Sequence, residues 1–170
     1  LTQEICPDLM SLHKVIYKGN YHNGLAEGYG ILHVPHLFTY IGQFKNGEID
    51  GEGELKGISR KVYMKGVFVS GRLQGSGVAC FPNGMRYQGN FSDSILSGWG
   101  TISLPGVFEY KGEVKNFLCH GWGEIILEKD GSYKGEFLNG MGHGLGVRTL
   151  QNGDQFEGEF AFSKAHGTGQ

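Results

Sequence analysis

The amino-acid sequence predicts an all-β protein, built as an elongated, single-layer antiparallel sheet of stacked two-stranded hairpins. Three observations support this prediction: a repeat of about 23 residues, an alternation of apolar and polar side chains, and recurrent turn signals. The repeat runs through residues 15–170 of the 170-residue chain. A short, strict period is typical of proteins that stack one supersecondary unit upon the next. A β-sandwich or barrel is the alternative, and the strict period disfavours it.

Each repeat begins with an anchor, usually aromatic, that is followed two residues later by glycine. The seven anchors are Tyr17, Tyr40, Met64, Tyr87, Tyr110, Tyr133 and Phe156. Eleven residues after every anchor comes a Gly-x-Gly pair, the first at Gly28 and Gly30 and the last at Gly167 and Gly169. One rule therefore describes seven units, of which the last is truncated.

The alternation of side chains predicts two strands in each unit. Side chains at i, i+2 and i+4 share one face of a strand, so the anchor, its glycine and the apolar residue after them line up. Intervening positions are mostly polar, as at Lys111 and Glu113. A second apolar series follows each Gly-x-Gly, such as Ile102 and Leu104. One apolar face indicates half-buried antiparallel strands.

Turn signals join the two strands of a unit. Asn23-Gly24 and Asn139-Gly140 are strong hairpin signals because both residue types tolerate positive φ. A lone hairpin is marginal in water, so neighbouring units must pair, which places their equivalent residues roughly 10 Å apart. The third unit has one extra residue between Gly57 and Tyr63. We expect a longer loop or a bulge there that keeps Met64 on the face of the other anchors.

The glycines that follow the anchors predict a surface lined by rings. A glycine leaves an open slot on its face of the sheet, and a neighbouring ring can lie across it. We name the predicted partner-binding surface the aromatic trough, and its residues are Tyr40, Phe44, Tyr87, Phe91, Tyr110, Tyr133 and Phe137. The alternative is that these rings form an ordinary core.

The two tryptophans predict a second contact surface on the opposite face. Trp99 and Trp122 each stand between paired glycines, and the same two units have apolar residues near the turn. We name this surface the tryptophan patch, and its residues are Ile95, Leu96, Trp99, Phe117, Leu118 and Trp122. Tryptophan is enriched in interface hot spots. A second copy, another chain or a missing segment of the same protein would bind there. The alternative is that the indoles pack over lysine stems such as Lys111 and Lys134.

The unit Tyr-x-Gly-x-Phe-x-x-Gly-x-x-x-Gly-x-Gly resembles the MORN (membrane occupation and recognition nexus) repeat. Tyr40 to Gly53 and Tyr133 to Gly146 match it best. The resemblance implies a scaffold, since family members occur in membrane tethers, ciliary radial-spoke heads, parasite cytoskeletal structures and myosin-binding adaptors. It also implies an alternative, because such repeats accompany catalytic domains in lipid kinases, exchange factors and a histone methyltransferase. The expected location is cytoplasmic, with cytoskeletal, ciliary or membrane-associated sites.

No catalytic motif is found in the sequence. G-x-S-x-G, H-E-x-x-H, P-loop and C-x-x-C patterns are lacking, so we expect no enzyme activity and no cofactor. His120, His143 and His166 occupy one slot in three consecutive units. Units roughly 10 Å apart do not bring three imidazoles within the ~2.1 Å of a shared zinc ion. We therefore expect no metal site and favour a polar role for these histidines.

Charge and composition exclude further classes. A net charge of −2 without a basic face excludes a nucleic-acid binder that relies on phosphate contacts. No apolar run approaches the ~20 residues of a membrane-spanning helix.

The three cysteines, Cys6, Cys80 and Cys119, lack the spacing of a metal site, and their small, odd number predicts a reducing compartment. The chain starts at Leu1 and stops within a unit, so we expect a fragment. Residues 1–14 do not fit the repeat and are expected to be a cap or linker.

The function that the sequence favours is a non-catalytic scaffold. An amphipathic helix or extended segment of a protein partner would cover the aromatic trough, and the unpaired terminal strands allow self-association, with a homodimer as one form. One alternative is a phospholipid or membrane-contact module, which the slightly acidic charge disfavours. The other is an accessory domain of a larger enzyme.

Overall fold

The computed structural model describes residues 14–59 and 62–169, and within these residues all regular structure is β-strand. Two compact units divide the chain, the first ending at Asn83 and the second beginning at Gly84. The cap or linker expected at residues 1–14 falls almost wholly outside the described residues. Arg60 and Lys61 of the third repeat also lie outside the described residues.

The first unit is an antiparallel sheet of six strands whose order follows the chain. These strands are β1 (Ile16–His22), β2 (Leu25–Val34), β3 (Phe38–Lys45), β4 (Glu48–Gly57), β5 (Tyr63–Val69) and β6 (Arg72–Cys80). β4 ends at Gly57 and β5 begins at Tyr63, and Met64 pairs with Leu55 while Tyr63 pairs with Lys56. The third anchor thus keeps the parity that the sequence predicts.

The second unit is an antiparallel sheet of eight strands, again in chain order. These strands are β7 (Arg86–Ser92), β8 (Ile95–Leu104), β9 (Phe108–Lys115), β10 (Leu118–Leu127), β11 (Gly131–Leu138), β12 (Met141–Thr149), β13 (Gln155–Ala161) and β14 (Lys164–Gly169). Anchors lie on the odd strands and Gly-x-Gly pairs on the even ones. The all-β fold of stacked antiparallel hairpins is therefore confirmed.

Tight turns connect the two strands of each repeat. At Asn139 and Gly140 both φ angles are positive, 51° and 87°, as in the hairpin turn that Asn-Gly favours. Ser94 and Phe117 adopt the same conformation where the glycine is missing, with φ of 65° and 64°. The amide of Gly140 donates to the carbonyl of Cys119 in the preceding repeat at 2.8 Å. The turns therefore link successive hairpins as well as closing them.

The first glycine of each Gly-x-Gly forms a bulge, a role that the sequence pattern alone does not reveal. Gly121 has φ of 56°, and the register between β9 and β10 shifts between Cys119 and Gly123. Left-handed backbone is accessible to glycine without steric cost, and an extra residue here increases the twist of the sheet. The second glycine has a different role: Gly123 pairs directly with Gly112 on β9, which removes both side chains from one face.

Candidate functional site

The rings of the aromatic trough lie on one face of their unit and bury one another. In the first unit Tyr40 is 0% exposed and packs edge-on against Phe44 at 5.3 Å and Phe68 at 5.4 Å between ring centroids. In the second unit Phe137 packs between Tyr110 at 5.0 Å and Tyr133 at 5.1 Å. Edge-to-face geometry is the favoured arrangement of aromatic rings. Most of the predicted trough residues therefore supply the core of the sheet.

The tyrosine hydroxyls of the aromatic trough are tied to backbone carbonyls. Tyr110 Oη donates to the carbonyl of Glu113 at 2.5 Å, and Tyr133 Oη donates to that of Glu136 at 3.0 Å. Burial raises the pKa of Tyr40 to about 12 and also raises the pKa of Tyr110 and Tyr133. These hydroxyls therefore stay protonated at neutral pH and act as structural donors.

Two repeats fill the glycine slot with leucine instead of tyrosine. Leu96 is fully buried and lies 3.5 Å from the place where a Cβ on Gly100 would be. Tyr87, the anchor of that repeat, is displaced from the slot and packs edge-on against Phe117 at 5.1 Å. Leu96 and Phe117 were predicted in the tryptophan patch. The structure corrects both placements, because one fills the core and the other covers an anchor ring.

An open groove follows the trough face in the second unit. It encloses about 510 Å³ and has a floor of buried rings, Tyr133, Phe137 and Phe160. Its walls include the half-buried side chains of Ile125, Leu127 and Phe156. We name it the trough groove. Gly140 and Gly142 also line it, and their missing side chains leave room beside the floor.

Arg148 is the charged residue that distinguishes this groove from the other repeats. Leu32, Leu55, Ala79, Ile102 and Ile125 occupy its position in the preceding units. Arg148 pairs directly with Tyr133 on one side and Phe156 on the other. Its Nη2 donates to the carbonyl of Asp130 at 2.8 Å and to its carboxylate at 2.6 Å. A half-buried guanidinium is thus fixed by Asp130 in a groove whose other lining residues are mostly apolar.

The tryptophan patch keeps four exposed members on the back face. Trp99 is 65% exposed and Trp122 is 52% exposed, and Ile95 and Leu118 are also exposed. Large exposed indoles are unusual on a surface that has no partner. The lysine-stem alternative is not supported at Trp99, whose indole remains largely in solvent.

Glutamates alternate with these indoles across the back face. Trp99 on β8 lies directly opposite Glu113 on β9. Glu113 Oε1 accepts the backbone N–H of Trp122 at 3.2 Å, and Trp122 lies opposite Glu136. The same contact recurs one repeat later, where Glu136 Oε1 accepts the N–H of Leu145 at 3.4 Å. The glutamate satisfies the amide that the glycine bulge releases from the ladder.

The histidine slot shows no sign of convergence on a shared ligand. The carbonyls of His120 and His143 accept the anchor hydroxyls of Tyr110 and Tyr133, at 3.3 Å and 3.4 Å. Residues 14–59 and 62–169 contain no group of three His, Cys, Asp or Glu side chains placed to hold a metal ion. Within these same residues there is no candidate for a membrane-spanning helix.

Sequence reasoning missed three parts of these surfaces. It did not single out the groove walls Ile125 and Leu127, although their parity placed them on the trough face. It overlooked Arg148, which alignment of the six units that reach this position would have revealed as a charge in an apolar column. It treated Glu113 as an ordinary polar strand residue, because the bulge that brings it to Trp122 is invisible in the alternation.

Comparison with known proteins agrees with the repeat that the structure shows. The MORN repeat family matches five segments that together cover more than half of the chain, namely 17–33, 40–59, 65–86, 133–155 and 156–170. Alsin from Rattus norvegicus is 31% identical over 88 residues, which is 49% of this chain and 5% of alsin. Alsin from Homo sapiens gives the same identity and coverage. The chain thus matches a small part of these relatives. On this match and its hairpin architecture, the chain belongs to the MORN repeat family.

Proposed function

We propose that this chain is a non-catalytic scaffold module that binds a protein partner in the trough groove. The observation that carries the proposal is the groove itself, about 510 Å³ with mostly apolar walls above a floor of packed rings. The floor of closely packed rings offers a preformed surface, which lowers the entropy cost of binding. Ile125, Leu127 and Phe156 supply the contacts that a partner would reach.

The occupant that fits this groove is an amphipathic helix or an extended segment. A helix lays one apolar stripe into a hydrophobic groove and keeps its polar face in water. The ion pair of Arg148 and Asp130 at the groove wall favours a segment that carries a polar residue near its apolar stripe. Partners of this kind make the chain an interaction scaffold.

Selection of binding peptides tests this proposal with a matched pair of variants. Peptides selected from a displayed random library by the wild-type chain would be titrated against Ile125→Glu and Ile126→Glu. Ile125 lines the groove, whereas Ile126 is 52% exposed on the opposite face. We expect the first variant to lose binding by at least tenfold and the second to retain it. Equal binding to both variants would overturn the proposal.

A second contact surface on the back face is supported by the exposure of Trp99 and Trp122. We propose that a second chain binds there, with a homodimer as one form. Substitution of both tryptophans by serine would lower the mass measured in solution by sedimentation if copies associate through this face. An unchanged mass in a self-associating protein would place the dimer contact elsewhere.

Two further roles are proposals that rest on the comparisons. A membrane-contact role is supported by the family alone, and sedimentation with phosphatidylserine vesicles tests it. A role as accessory domain of a larger protein is supported by alsin, because the stretch that this chain matches is 5% of alsin. With these roles we propose a cytoplasmic location, at cytoskeletal, ciliary or membrane-associated sites. Imaging of the tagged protein in cells tests it.

A further inference from the structure

We propose that the tryptophan patch recognises arginine side chains of a basic, extended partner segment, with Glu113 pairing the guanidinium and the indoles of Trp99 and Trp122 stacking on it. This inference rests on the second contact surface proposed above and names the chemistry of its occupant. It is independent of the trough groove, which lies on the other face of the sheet.

The first argument is the order of side chains across the sheet. On the back face the row from β8 to β13 reads Trp99, Glu113, Trp122, Glu136, Leu145 and Glu159. Large apolar groups and carboxylates therefore alternate at every strand, about 4.8 Å apart. A surface that offers an aromatic face beside a carboxylate matches a cation attached to a flat or apolar stem.

The second argument is that Glu113 is fixed and still able to pair. Its carboxylate lies over Gly121, where an added Cβ would be 2.5 Å from Oε2. Oε1 accepts one backbone N–H, which leaves further lone pairs on both oxygens. Lys111 and Lys115 flank it two residues away on β9, and Lys111 forms an ion pair with Glu109 at 2.5 Å. Glu113 is therefore a positioned carboxylate, and one of the two lysines that flank it is engaged elsewhere.

The third argument is charge. From residue 84 onward the chain has seven Lys and Arg against ten Asp and Glu, a net charge of −3. Up to residue 83 it has eight against seven, a net charge of +1, and the two values sum to the −2 of the whole chain. The acidic excess lies in the unit that holds the tryptophan patch. A basic partner is thus attracted to this unit rather than to the first.

Arginine suits this surface better than lysine. The planar guanidinium stacks on an indole face while its fork of donors reaches a carboxylate, and a lysine ammonium cannot do both as well. Glu113 and Glu136 lie two strands apart, roughly 10 Å. In an extended segment of the polyproline II type, with three residues per turn and a rise of about 3.1 Å per residue, two arginines three residues apart point to the same side and lie about 9 Å apart. An Arg-x-x-Arg segment therefore fits the spacing of the row.

Intrinsic fluorescence gives a direct test, because Trp99 and Trp122 are the two tryptophans of the sequence. The probe is the synthetic peptide acetyl-Gly-Arg-Gly-Gly-Arg-Gly-amide, compared with peptides that carry Lys or Glu in place of Arg. We expect a saturable change in tryptophan emission with the Arg peptide, several-fold weaker binding of the Lys peptide and none of the Glu peptide. Higher salt should weaken binding of the Arg peptide, because salt screens the charges.

Variants of two glutamates sharpen the test. Glu113→Gln keeps the bulge contact, as Gln43 does in the first unit, but should lower the affinity for the Arg peptide about tenfold. Glu124→Gln removes an exposed carboxylate from the neighbouring row and should bind like wild type. Trp99→Ser and Trp122→Ser each leave one indole as reporter and should also weaken binding. No emission change with the Arg peptide, or equal affinity for both glutamine variants, would overturn the inference.

The outcomes separate this inference from the proposal on which it rests. Loss of self-association in the double serine variant, together with no binding of the Arg peptide, would keep the second contact surface and reject arginine as its ligand. Specific binding of the Arg peptide without self-association would support the inference and exclude the homodimer.

Discussion

The Tyr110 ring lies directly over the backbone of Gly123, so that a Cβ on that glycine would be 2.5 Å from ring carbon Cε2. Gly112 faces Gly123 across the strand pair, and a Cβ there would lie 2.5 Å from Tyr110 Oη. The absence of two side chains thus creates the slot in which a ring is buried against backbone. A single-layer sheet gains in this way a core that it otherwise lacks.

Gly123→Ala should destabilise the second unit. The added methyl would push the ring out of its slot, and overpacking of this kind costs about 1–3 kcal/mol. Urea unfolding followed by circular dichroism measures the change. Glu124→Ala is the matched control, since it alters the next residue on the exposed face and should stay within about 0.5 kcal/mol of wild type. Equal stability of the two variants would contradict the ring-on-glycine packing.

Gly98→Ala should cost stability for a different reason. Gly98 has φ of 80° and no neighbouring atom within 4 Å of an added Cβ, so space is not limiting. Left-handed backbone costs an ordinary L-residue roughly 1–2 kcal/mol. Gly98→Asn should lose less, because asparagine adopts this conformation more readily. A ranking of Gly above Asn above Ala in thermal unfolding supports the bulge, and identical loss for Asn and Ala would argue against it.

The sequence predicts this fold well because a repeat must satisfy the same constraints seven times. Parity places Tyr110 and Tyr133 on one face of the second unit, and the Asn-Gly signal fixes the turn at Asn139 and Gly140. Parity does not give depth, however. It cannot tell whether a ring is buried by its neighbours or open to a partner, and that difference decides which trough residues a ligand reaches.

The tryptophan patch shows where local patterns fail. Alternation assigns Trp99 to the back face correctly, since strand geometry alone determines it. Proximity in sequence predicts Leu96 beside Trp99, yet the two side chains lie on opposite faces of the strand. Phe117 follows a turn asparagine. Because Leu96 fills the glycine slot, the Tyr87 ring lies outside that slot and packs against Phe117. Competition for a shared slot is a tertiary effect.

Glu113 should tolerate glutamine but not leucine. Its Oε1 accepts the amide of Trp122, and Gln43 Oε1 accepts the amide of Glu52 in the same way at 3.0 Å. Glu113→Gln should therefore unfold within about 0.5 kcal/mol of wild type, because the amide keeps an acceptor. Glu113→Leu should lose about 0.5–1.5 kcal/mol, the net value of one hydrogen bond. Equal stability of both variants in urea would show that water replaces the contact without cost.

Cys119 should resist alkylation until high pH or unfolding. Burial raises the pKa of its thiol from 9.0 to about 11, so that at pH 8 roughly one molecule in a thousand carries the reactive thiolate. Because the pKa of the thiol is higher in the folded protein, the contribution of the buried thiol to stability is complete below pH 9 and is lost as pH rises towards 11.

Two single-cysteine proteins test this: Cys6→Ser/Cys80→Ser keeps only Cys119, and Cys6→Ser/Cys119→Ser keeps only the half-buried Cys80. Iodoacetamide at pH 8 should label Cys80 readily and Cys119 at the rate of unfolding, with faster labelling of Cys119 in 6 M urea. Labelling of Cys119 as fast as Cys80 in native buffer would show that the Cys119 thiol is not buried.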